Sequence, residues 1–219
     1  MVQPGIWPCP DSGNEYALLA EAGGSSRVLI LPALFDEANK LRRLTAALMR
    51  ELQGLGIASA CPDLAGCNES LADLSQQSLS TWTAQAAAAC DHFAATHVLT
   101  IRGSALIAPQ GLPVISYAPI AGASLLRGML RAKVISEREA GREASREALL
   151  EQGRMSGLDL AGYSLSAAML GQLEQASPPE ADTIAQGDVG GAGLWLRAEP
   201  GHDPVQAKKL AQAIARRLA

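Results

Sequence analysis

The sequence predicts an α/β fold in which a mostly parallel, doubly wound sheet is covered by helices on both faces. Short apolar runs suited to buried strands alternate with segments whose apolar residues recur every three or four positions. A sharp turn at residues 98–106 joins one of these runs directly to a helix. The composition, 48% hydrophobic and 18% charged over 219 residues, is sufficient for one sizeable core. We therefore expect residues 1–219 to form a single domain.

The first part of the chain supplies two strands and a long helix. Residues 16–21 alternate weakly and suit an edge strand, whereas the run Arg27–Leu31 suits a strand buried on both faces. Asp36 then begins a helix that continues to about Leu52, because leucines recur along it at intervals of three and four residues. This apolar stripe predicts that the helix packs against the sheet.

Further strands and helices continue the same alternation. Residues 57–61 form a short apolar run, and residues 80–96 show the period of a helix. The next two predicted strands are His97–Ile101 and Val114–Tyr117. Strands separated by helices are typical of a parallel sheet, because parallel neighbours need a crossover connection.

The last hundred residues are predicted to be mostly helical. Residues 121–176 contain helical stretches without a strand, and we interpret them as a small cap-like insertion. Residues 194–198 are the last candidate strand, and residues 204–218 form a terminal helix with an apolar inner side. A single predicted strand leaves little sheet in this region from which to present functional groups.

Charge and hydropathy argue against several classes of protein. A net charge of −4 and a pI near 5.4 give no general attraction to nucleic acid or to an anionic membrane. The longest apolar runs, such as residues 28–34, are too short to span a bilayer. The first residues lack the basic and apolar regions of a signal peptide, so we expect a cytoplasmic protein. The oligomeric state stays open, a homodimer included.

Cysteine and histidine usage indicates neither a metal nor a cofactor. The cysteines Cys9, Cys61, Cys67 and Cys90 form no close C-x-x-C pair, so free thiols are favoured over disulfides or a metal site. The three histidines are scattered, without the spacing of zinc ligands. We therefore expect no metal and no cofactor.

The turn at residues 98–106 has the setting of a nucleophile elbow, the strand-to-helix turn that carries the catalytic serine of α/β-hydrolases as G-x-S-x-G. Its apex is Arg102, and the small residues required two positions before and after the apex are Thr100 and Ser104. An apex at Ser104 would instead place Arg102 and Leu106 at the crowded points. The sequence thus predicts a hydrolase scaffold with an arginine, at positive φ, in the nucleophile position.

A second loop indicates the same scaffold. Residues 63–70 follow a strand and match the D-x-x-G-x-G-x-S loop of many α/β-hydrolases, with Asn68 in place of a glycine. Asparagine tolerates positive φ better than most residues, so the substitution keeps the turn. The alternative interpretation is a generic strand-to-helix loop.

These motifs together resemble a known family. Its P-F-x-E-E-x-N-K-x-R-R-like loop is matched here by Asp36, Glu37, Asn39, Lys40, Arg42 and Arg43. Its G-L-R-x-G-like elbow matches Arg102, and its A-G-Y-x-L-S segment matches residues 161–166. Over about residues 15–200 the chain is similar to the exosortase A system-associated hydrolases of the second type, a branch of the α/β-hydrolases. The resemblance implies a hydrolase fold and a bacterial setting of export or exopolysaccharide production.

Candidate catalytic groups are few, because the chain is shorter than such hydrolases and the loss falls in its C-terminal part. His202 precedes the last predicted helix, as a general-base histidine would, and a loop histidine without a catalytic role is the alternative. Ser104 and Cys67 are weak candidates for an unusual nucleophile, since no base adjoins either in the sequence.

Arg102 has two interpretations that are compatible with each other. In the first, it forms an ion pair with Asp36 or Glu37 from the facing loop. In the second, Arg102 and the backbone N–H groups of Gly103 and Ser104 bind a carboxylate or a phosphate. An arginine at a helix N-terminus needs such a negative partner, because the helix dipole there is positive.

Two functions follow from these features. The first is a catalytically degenerate hydrolase, a pseudoenzyme that binds a small anionic ligand or a protein partner, with Asn39 among the ligand contacts. The second is an active ester or thioester hydrolase with an unusual nucleophile. An arginine in the nucleophile position favours the first.

Overall fold

The computed structural model describes residues 1–218. Its strands are β1 (Gln3–Cys9), β2 (Gly13–Ala20), β3 (Arg27–Leu31), β4 (Ala58–Pro62), β5 (His97–Ile101), β6 (Val114–Tyr117), β7 (Leu158–Leu160), β8 (Tyr163–Leu165) and β9 (Asp182–Ile184). Its α-helices are α1 (Asp36–Gly54), α2 (Leu79–His92), α3 (Gly122–Glu139), α4 (Arg146–Ser156), α5 (Ala167–Gln175), α6 (Gln186–Val189) and α7 (Pro204–Ala215). Short 3₁₀ helices cover Leu74–Gln76, Arg102–Ile107 and Leu194–Leu196.

A seven-stranded sheet lies at the centre, with the strand order β1-β2-β4-β3-β5-β6-β9. β3 pairs in parallel with β4 and β5, and β6 pairs in parallel with β5 and β9. β2 is antiparallel to both β1 and β4. This mostly parallel sheet with flanking helices confirms the predicted fold class.

Both faces of the sheet are covered, as the continuous apolar runs predict. In β3, Leu29 and Leu31 pack into one core cluster with α2, α3 and α5. Val28 and Ile30 point to the other face and pack with α1 and α7. The leucine stripe of α1 is buried in this second cluster. Loops from both layers therefore meet at the carboxyl ends of the central strands, where open α/β sheets bind ligands.

Two strands of the sheet, β1 and β9, are not predicted from the sequence. β1 lies outside β2, so the strand predicted at residues 16–21 is an inner strand and not an edge strand. Pro4 and Pro8 interrupt the pattern of β1, and proline is confined to edge strands because it has no N–H to donate. The same prolines that hide this strand in the sequence protect its free edge from further pairing.

The segment between β6 and β9 contains a hairpin where only helices are predicted. α3, α4 and α5 lie within residues 121–176 as expected, but β7 and β8 pair antiparallel between α4 and α5. Ala161 and Gly162 make the turn with φ angles of 52° and 86°. Hairpin turns favour two residues at positive φ, but alanine is a weak signal for such a turn.

The prediction of a strand at residues 194–198 is wrong. Leu194–Leu196 form a 3₁₀ helix, and the last strand of the sheet is β9 beside β6. Leu194 is fully buried with α1 and α7, and the ring of Trp195 lies 6.0 Å from that of Tyr117. Leu194 is thus buried without strand pairing, whereas Leu196 is 77% exposed.

Three further properties concern the described part of the chain. The four cysteines are free thiols, which confirms that prediction. No helix among residues 1–218 combines the length and the apolar character needed to cross a membrane. In the same residues no group of three or more His, Cys, Asp or Glu side chains is placed to hold a metal ion.

Candidate functional site

The predicted turn after β5 is present, with Arg102 as its apex. Arg102 has a φ of 58° and leads from β5 directly into the 3₁₀ helix. Thr100 is fully buried, and its hydroxyl shares a hydrogen bond of 2.9 Å with that of Ser116 on β6. A positive φ is strained for a residue with a long side chain, so the surrounding contacts must hold Arg102 in place.

Four contacts hold the Arg102 side chain. Its Nε and Nη2 donate to the two carboxylate oxygens of Glu37, each at 3.0 Å. Its Nη1 donates to the carbonyl oxygen of Ala118 at 2.9 Å, and its guanidinium carbon lies 4.1 Å from the ring centre of Trp195. The Arg102 and Glu37 side chains are 11% and 15% exposed. The ion-pair interpretation is therefore confirmed, with Glu37 as the partner.

These contacts leave little of Arg102 for a ligand. Three of the five guanidinium N–H groups already donate within the chain, and the side chain is only 11% exposed, so little of it can contact an anion. Gly103 and Ser104 are buried behind the apex. Ligand binding by Arg102, Gly103 and Ser104 stays a prediction that this geometry does not favour.

Ser104 is bonded into the backbone of the turn. Its fully buried hydroxyl donates to the carbonyl oxygen of Leu31 at 2.7 Å and accepts the N–H of Ile101 at 2.8 Å. These bonds tie the end of β5 to the end of β3. A hydroxyl held in this way cannot reach a substrate, so the geometry argues against Ser104 as a nucleophile.

A cavity of about 560 Å³ lies beside the elbow, at the carboxyl ends of β3 and β4. Its walls come from the loops after these strands, the beginning of α1 and the tip of the β7–β8 hairpin. Its apolar side chains include Leu34, Leu64 and Ile107. This volume and lining are typical of sites for small molecules.

Three aromatic side chains form one wall of the cavity. The ring centre of Phe35 lies 5.5 Å from that of Tyr163, edge to face, and 5.8 Å from that of Trp82. The indole N–H of Trp82 donates to the carbonyl oxygen of Ala65 at 2.9 Å. Burial raises the pKa of the Tyr163 phenol, so its hydroxyl stays protonated at neutral pH. The rings tie the hairpin to the loop after β3.

The polar side chains that line the cavity come from α1, from the loop after β4 and from the β7–β8 hairpin. Asn39 and Arg42 are exposed and line the cavity. Arg42 pairs with Glu69 at 2.6 Å, with both side chains 55% exposed. Such a pair is worth about 0–1 kcal/mol, so Arg42 can exchange Glu69 for a ligand anion at small cost. Asp36, a predicted ligand contact, pairs with Lys40 at 2.7 Å and not with the arginine of the elbow.

The loop after β4 has the predicted conformation. Gly66 and Asn68 have φ angles of 76° and 48°, so Asn68 occupies a position of positive φ. Asp63 accepts hydrogen bonds from Asn68 Nδ2 at 2.7 Å and from the N–H of Glu69 at 3.1 Å. Burial raises the pKa of the Asp63 carboxyl, and these two bonds oppose the rise. A Cβ on Gly66 would lie 2.8 Å from the Cα of Leu74, so only glycine fits there.

Cys67 lines the cavity but is poorly suited to nucleophilic attack. Burial raises the pKa of its thiol far above the ordinary value, and the charges of Asp63 and Glu15 act in the same direction. The thiolate is the reactive form of cysteine, and a thiol in these surroundings stays protonated at neutral pH. The structure therefore supplies no activated nucleophile at Cys67.

His202 does not lie at the cavity. It is half-buried in the loop before α7 and is not among the cavity-lining residues. Its Nδ1 is buried without a hydrogen-bond partner among residues 1–218, so no carboxylate there orients the ring. The neighbouring Asp203 accepts the N–H groups of Val205 and Gln206 at 3.0 and 3.1 Å as the cap of α7. The oriented base that a serine hydrolase requires is not assembled around His202.

Two side chains at the site have roles that the sequence does not reveal. Trp195, predicted in a strand, stacks on Arg102. Tyr163, recognised only as part of a motif, covers the cavity from the hairpin tip. The turn at Ala161 and Gly162 is the one local signal for Tyr163. No local pattern in the sequence indicates the role of Trp195, because its partner Arg102 is distant in sequence.

Comparison with known proteins establishes the fold and no family. No family model matches the sequence, and no curated protein matches it. The solved structure of a protein named as a hydrolase from Agrobacterium vitis S4 is similar over 100% of both chains, with 15% identity and a TM-score of 0.55. Smu.1393c from Streptococcus mutans is similar over 100% of this chain and 96% of its own, with 11% identity and a TM-score of 0.55. The chain has an α/β-hydrolase-like fold.

Proposed function

We propose that this protein is a non-catalytic α/β-hydrolase-like protein that binds a small anionic ligand with an apolar body in the cavity beside the elbow. The observation that carries the proposal is Arg102 in the nucleophile position, held by Glu37 and Trp195. A guanidinium cannot form the covalent intermediate of an ester hydrolase. The alternative, an active ester or thioester hydrolase, would need Ser104 or Cys67, and neither is activated.

The cavity lining supports this class of ligand. Leu34, Phe35 and Trp82 offer apolar surface to the body of the ligand, at about 25 cal/mol per Å² buried. Arg42 offers a cation to its head group, and a hydrogen bond to a charged group contributes about 1.5–3 kcal/mol. Asp73 also lines the cavity, but its carboxylate accepts the N–H of Ser75 at 2.8 Å as a helix cap. A carboxylate or a phosphate on an apolar chain fits this arrangement.

The helical segment between β6 and β9 acts as the cover of the site in this proposal. Residues 1–219 then form one domain, with residues 121–176 as an insertion. The support is that the hairpin tip, Gly162 to Ser164, lines the cavity and that Tyr163 packs on Phe35. The ligand would enter by displacing this tip.

The finer part of the proposal concerns the biological setting, which is the bacterial cytoplasm and exopolysaccharide production or export. It is supported by the resemblance of residues 32–43, residues 161–166 and Arg102 to exosortase A system-associated hydrolases. Deletion of the gene, followed by measurement of released exopolysaccharide, tests it. We expect a change that the wild-type gene restores and Arg42→Gln does not, and an unchanged amount would refute this setting.

Displacement of a fluorescent probe tests the ligand class. Anilinonaphthalene sulfonate is apolar and anionic, so its fluorescence should rise when it enters the cavity. Decanoate should displace the probe at least about tenfold more tightly than decanol, because only decanoate offers a charge to Arg42. Arg42→Gln should remove this difference. Arg43→Gln, an exposed neighbour on α1 outside the cavity lining, is the matched control and should preserve it.

Two results would refute the proposal. Equal binding of decanoate and decanol to the wild-type protein would show that Arg42 does not recognise an anionic head group. Turnover of p-nitrophenyl decanoate at a rate above that of the buffer, lost on substitution of Ser104 or Cys67, would establish the hydrolase alternative.

A further inference from the structure

One face of α3 carries arginines that the fold does not use. Arg127, Arg131 and Arg138 are exposed and recur at helical spacing on the same face. Arg127 donates to the hydroxyl of Ser124 at 2.6 Å. In the described chain none of these three arginines forms an ion pair. Their charges are therefore available to a binding partner.

The beginning of α4 faces these arginines and makes the surface concave. A groove of about 700 Å³ lies between α3 and residues 144–147, and we call it the basic groove. Val134 and Ile135 give it an apolar middle, with Ile135 47% exposed, and Arg146 adds a fourth arginine from α4. At Gly128 a Cβ would meet nothing within 4 Å, so the groove is open there.

The charge of the basic groove is opposite to that of the chain. Its lining contains four arginines and one acid, Glu147, which lies 3.9 Å from Arg146. The nearby Glu137 is already held by Lys133 and Arg142. The chain as a whole carries a net charge of −4. Positive charge concentrated on an otherwise acidic protein favours an acidic partner.

We propose that the basic groove binds an extended acidic segment of a partner protein, separately from the ligand cavity. From Arg127 to Arg138 the helix axis spans about 16 Å, at 1.5 Å per residue. About five residues of extended chain cover this distance, at roughly 3.3 Å each. Carboxylates of the segment pair with the arginines, and an apolar side chain between them packs on Ile135 and Val134.

The shape and composition of the groove favour a peptide over the other anionic partners. A bilayer surface is flat, whereas Ile135 lies between two helices in a concave surface. Single-stranded nucleic acid is bound through aromatic side chains on which its bases stack. Among the described residues that line the groove, none is aromatic.

Fluorescence anisotropy with a labelled decapeptide of alternating glutamate and leucine tests the proposal on the full chain. The peptide should bind at low salt, and a glutamate–serine decapeptide should bind more weakly because it lacks the apolar contact. Arg131→Glu/Arg138→Glu should weaken binding at least about tenfold. The matched control Arg50→Glu/Lys208→Glu makes the same charge change at exposed residues of α1 and α7 and should bind as the wild type does.

Several outcomes would overturn the proposal. Equal weakening in both double variants would mean that only the overall charge matters. Displacement of the peptide by phosphatidylglycerol vesicles or by oligothymidylate at lower concentration than unlabelled peptide would assign the groove to a membrane or to nucleic acid. Melting curves establish whether each variant is folded. If Arg131→Glu/Arg138→Glu does not fold, the neutral double variant Arg131→Gln/Arg138→Gln is measured in its place.

Discussion

The ion pair at the elbow allows a quantitative test of how Arg102 is held. Arg102→Ala removes both hydrogen bonds of the Glu37 carboxylate, which is 15% exposed, and the donor to the Ala118 carbonyl. It also removes the stacking on Trp195, and such contacts contribute about 0.5–2 kcal/mol. Breaking one partner of a fully buried pair costs about 3–5 kcal/mol. Because some exposure remains, we expect the free energy of unfolding to fall by about 2–4 kcal/mol.

The control is a more exposed pair that is also bidentate, although Arg27 uses its two Nη atoms where Arg102 uses Nε and Nη2. Arg27 donates to both oxygens of Glu21, at 2.8 and 2.6 Å, but these side chains are 27% and 53% exposed. Arg27→Ala should therefore cost less than about 1 kcal/mol. Urea denaturation followed by tryptophan fluorescence measures both variants, together with Glu37→Ala and the double variant Arg102→Ala/Glu37→Ala.

The double variant completes a double-mutant cycle, which gives the interaction free energy between Arg102 and Glu37. It should be more stable than the sum of the two single effects implies, by about 1–3 kcal/mol, because neither charge is then left unpaired. Additive single effects, or equal losses for Arg102→Ala and Arg27→Ala, would refute the idea that burial makes the elbow pair strong.

Three further predictions concern separate parts of the structure. Gly66→Ala should lower the free energy of unfolding by about 1–3 kcal/mol, because alanine would need a φ of 76° and its Cβ would lie 2.8 Å from the Cα of Leu74. An unchanged urea midpoint would contradict this prediction. Iodoacetamide near neutral pH should modify Cys67 only after unfolding, since burial raises the pKa of its thiol. Rapid modification of the folded chain, detected by mass spectrometry, would contradict this prediction. The Glu137 carboxyl should titrate by NMR with a pKa of about 2, and this pKa should move toward 4.5 in Arg142→Ala. The stabilising contribution of the ion pair is therefore present above pH 4.5 and is lost as the pH falls toward 2. An ordinary pKa in the wild type would exclude this ion pair.

The elements that could be predicted from the sequence are those decided by local sterics and by burial. β3 and β5 are buried on both faces, which leaves uninterrupted apolar runs, and α1 shows its single buried stripe. The apex at Arg102 follows from the small residues Thr100 and Ser104 around the turn. Burial patterns and the steric requirements of a turn depend on a few neighbouring residues, so they can be recognised in a single sequence.

The parts that could not be predicted depend on contacts between distant segments. The sequence offers Asp36, Glu37 or a bound anion as the partner of Arg102, and the choice of Glu37 depends on how α1 packs against the elbow. The stacking of Trp195 and the cavity beneath Tyr163 arise where separate loops converge. No periodicity or local motif reports such convergence.

The most direct test of the absence of hydrolytic chemistry is fluorophosphonate labelling, combined with p-nitrophenyl ester turnover by the wild type and by Arg102→Ser. The structure predicts that no serine of the wild type is labelled, because Ser104 is bonded into the backbone. It also predicts that Arg102→Ser stays inactive, because Nδ1 of His202 has no orienting partner among the described residues, and a serine needs an oriented base to become nucleophilic. Stoichiometric labelling of the wild type, or turnover by Arg102→Ser that disappears when His202→Ala is added, would show that the acid–base machinery is intact and would contradict the proposed loss of catalysis.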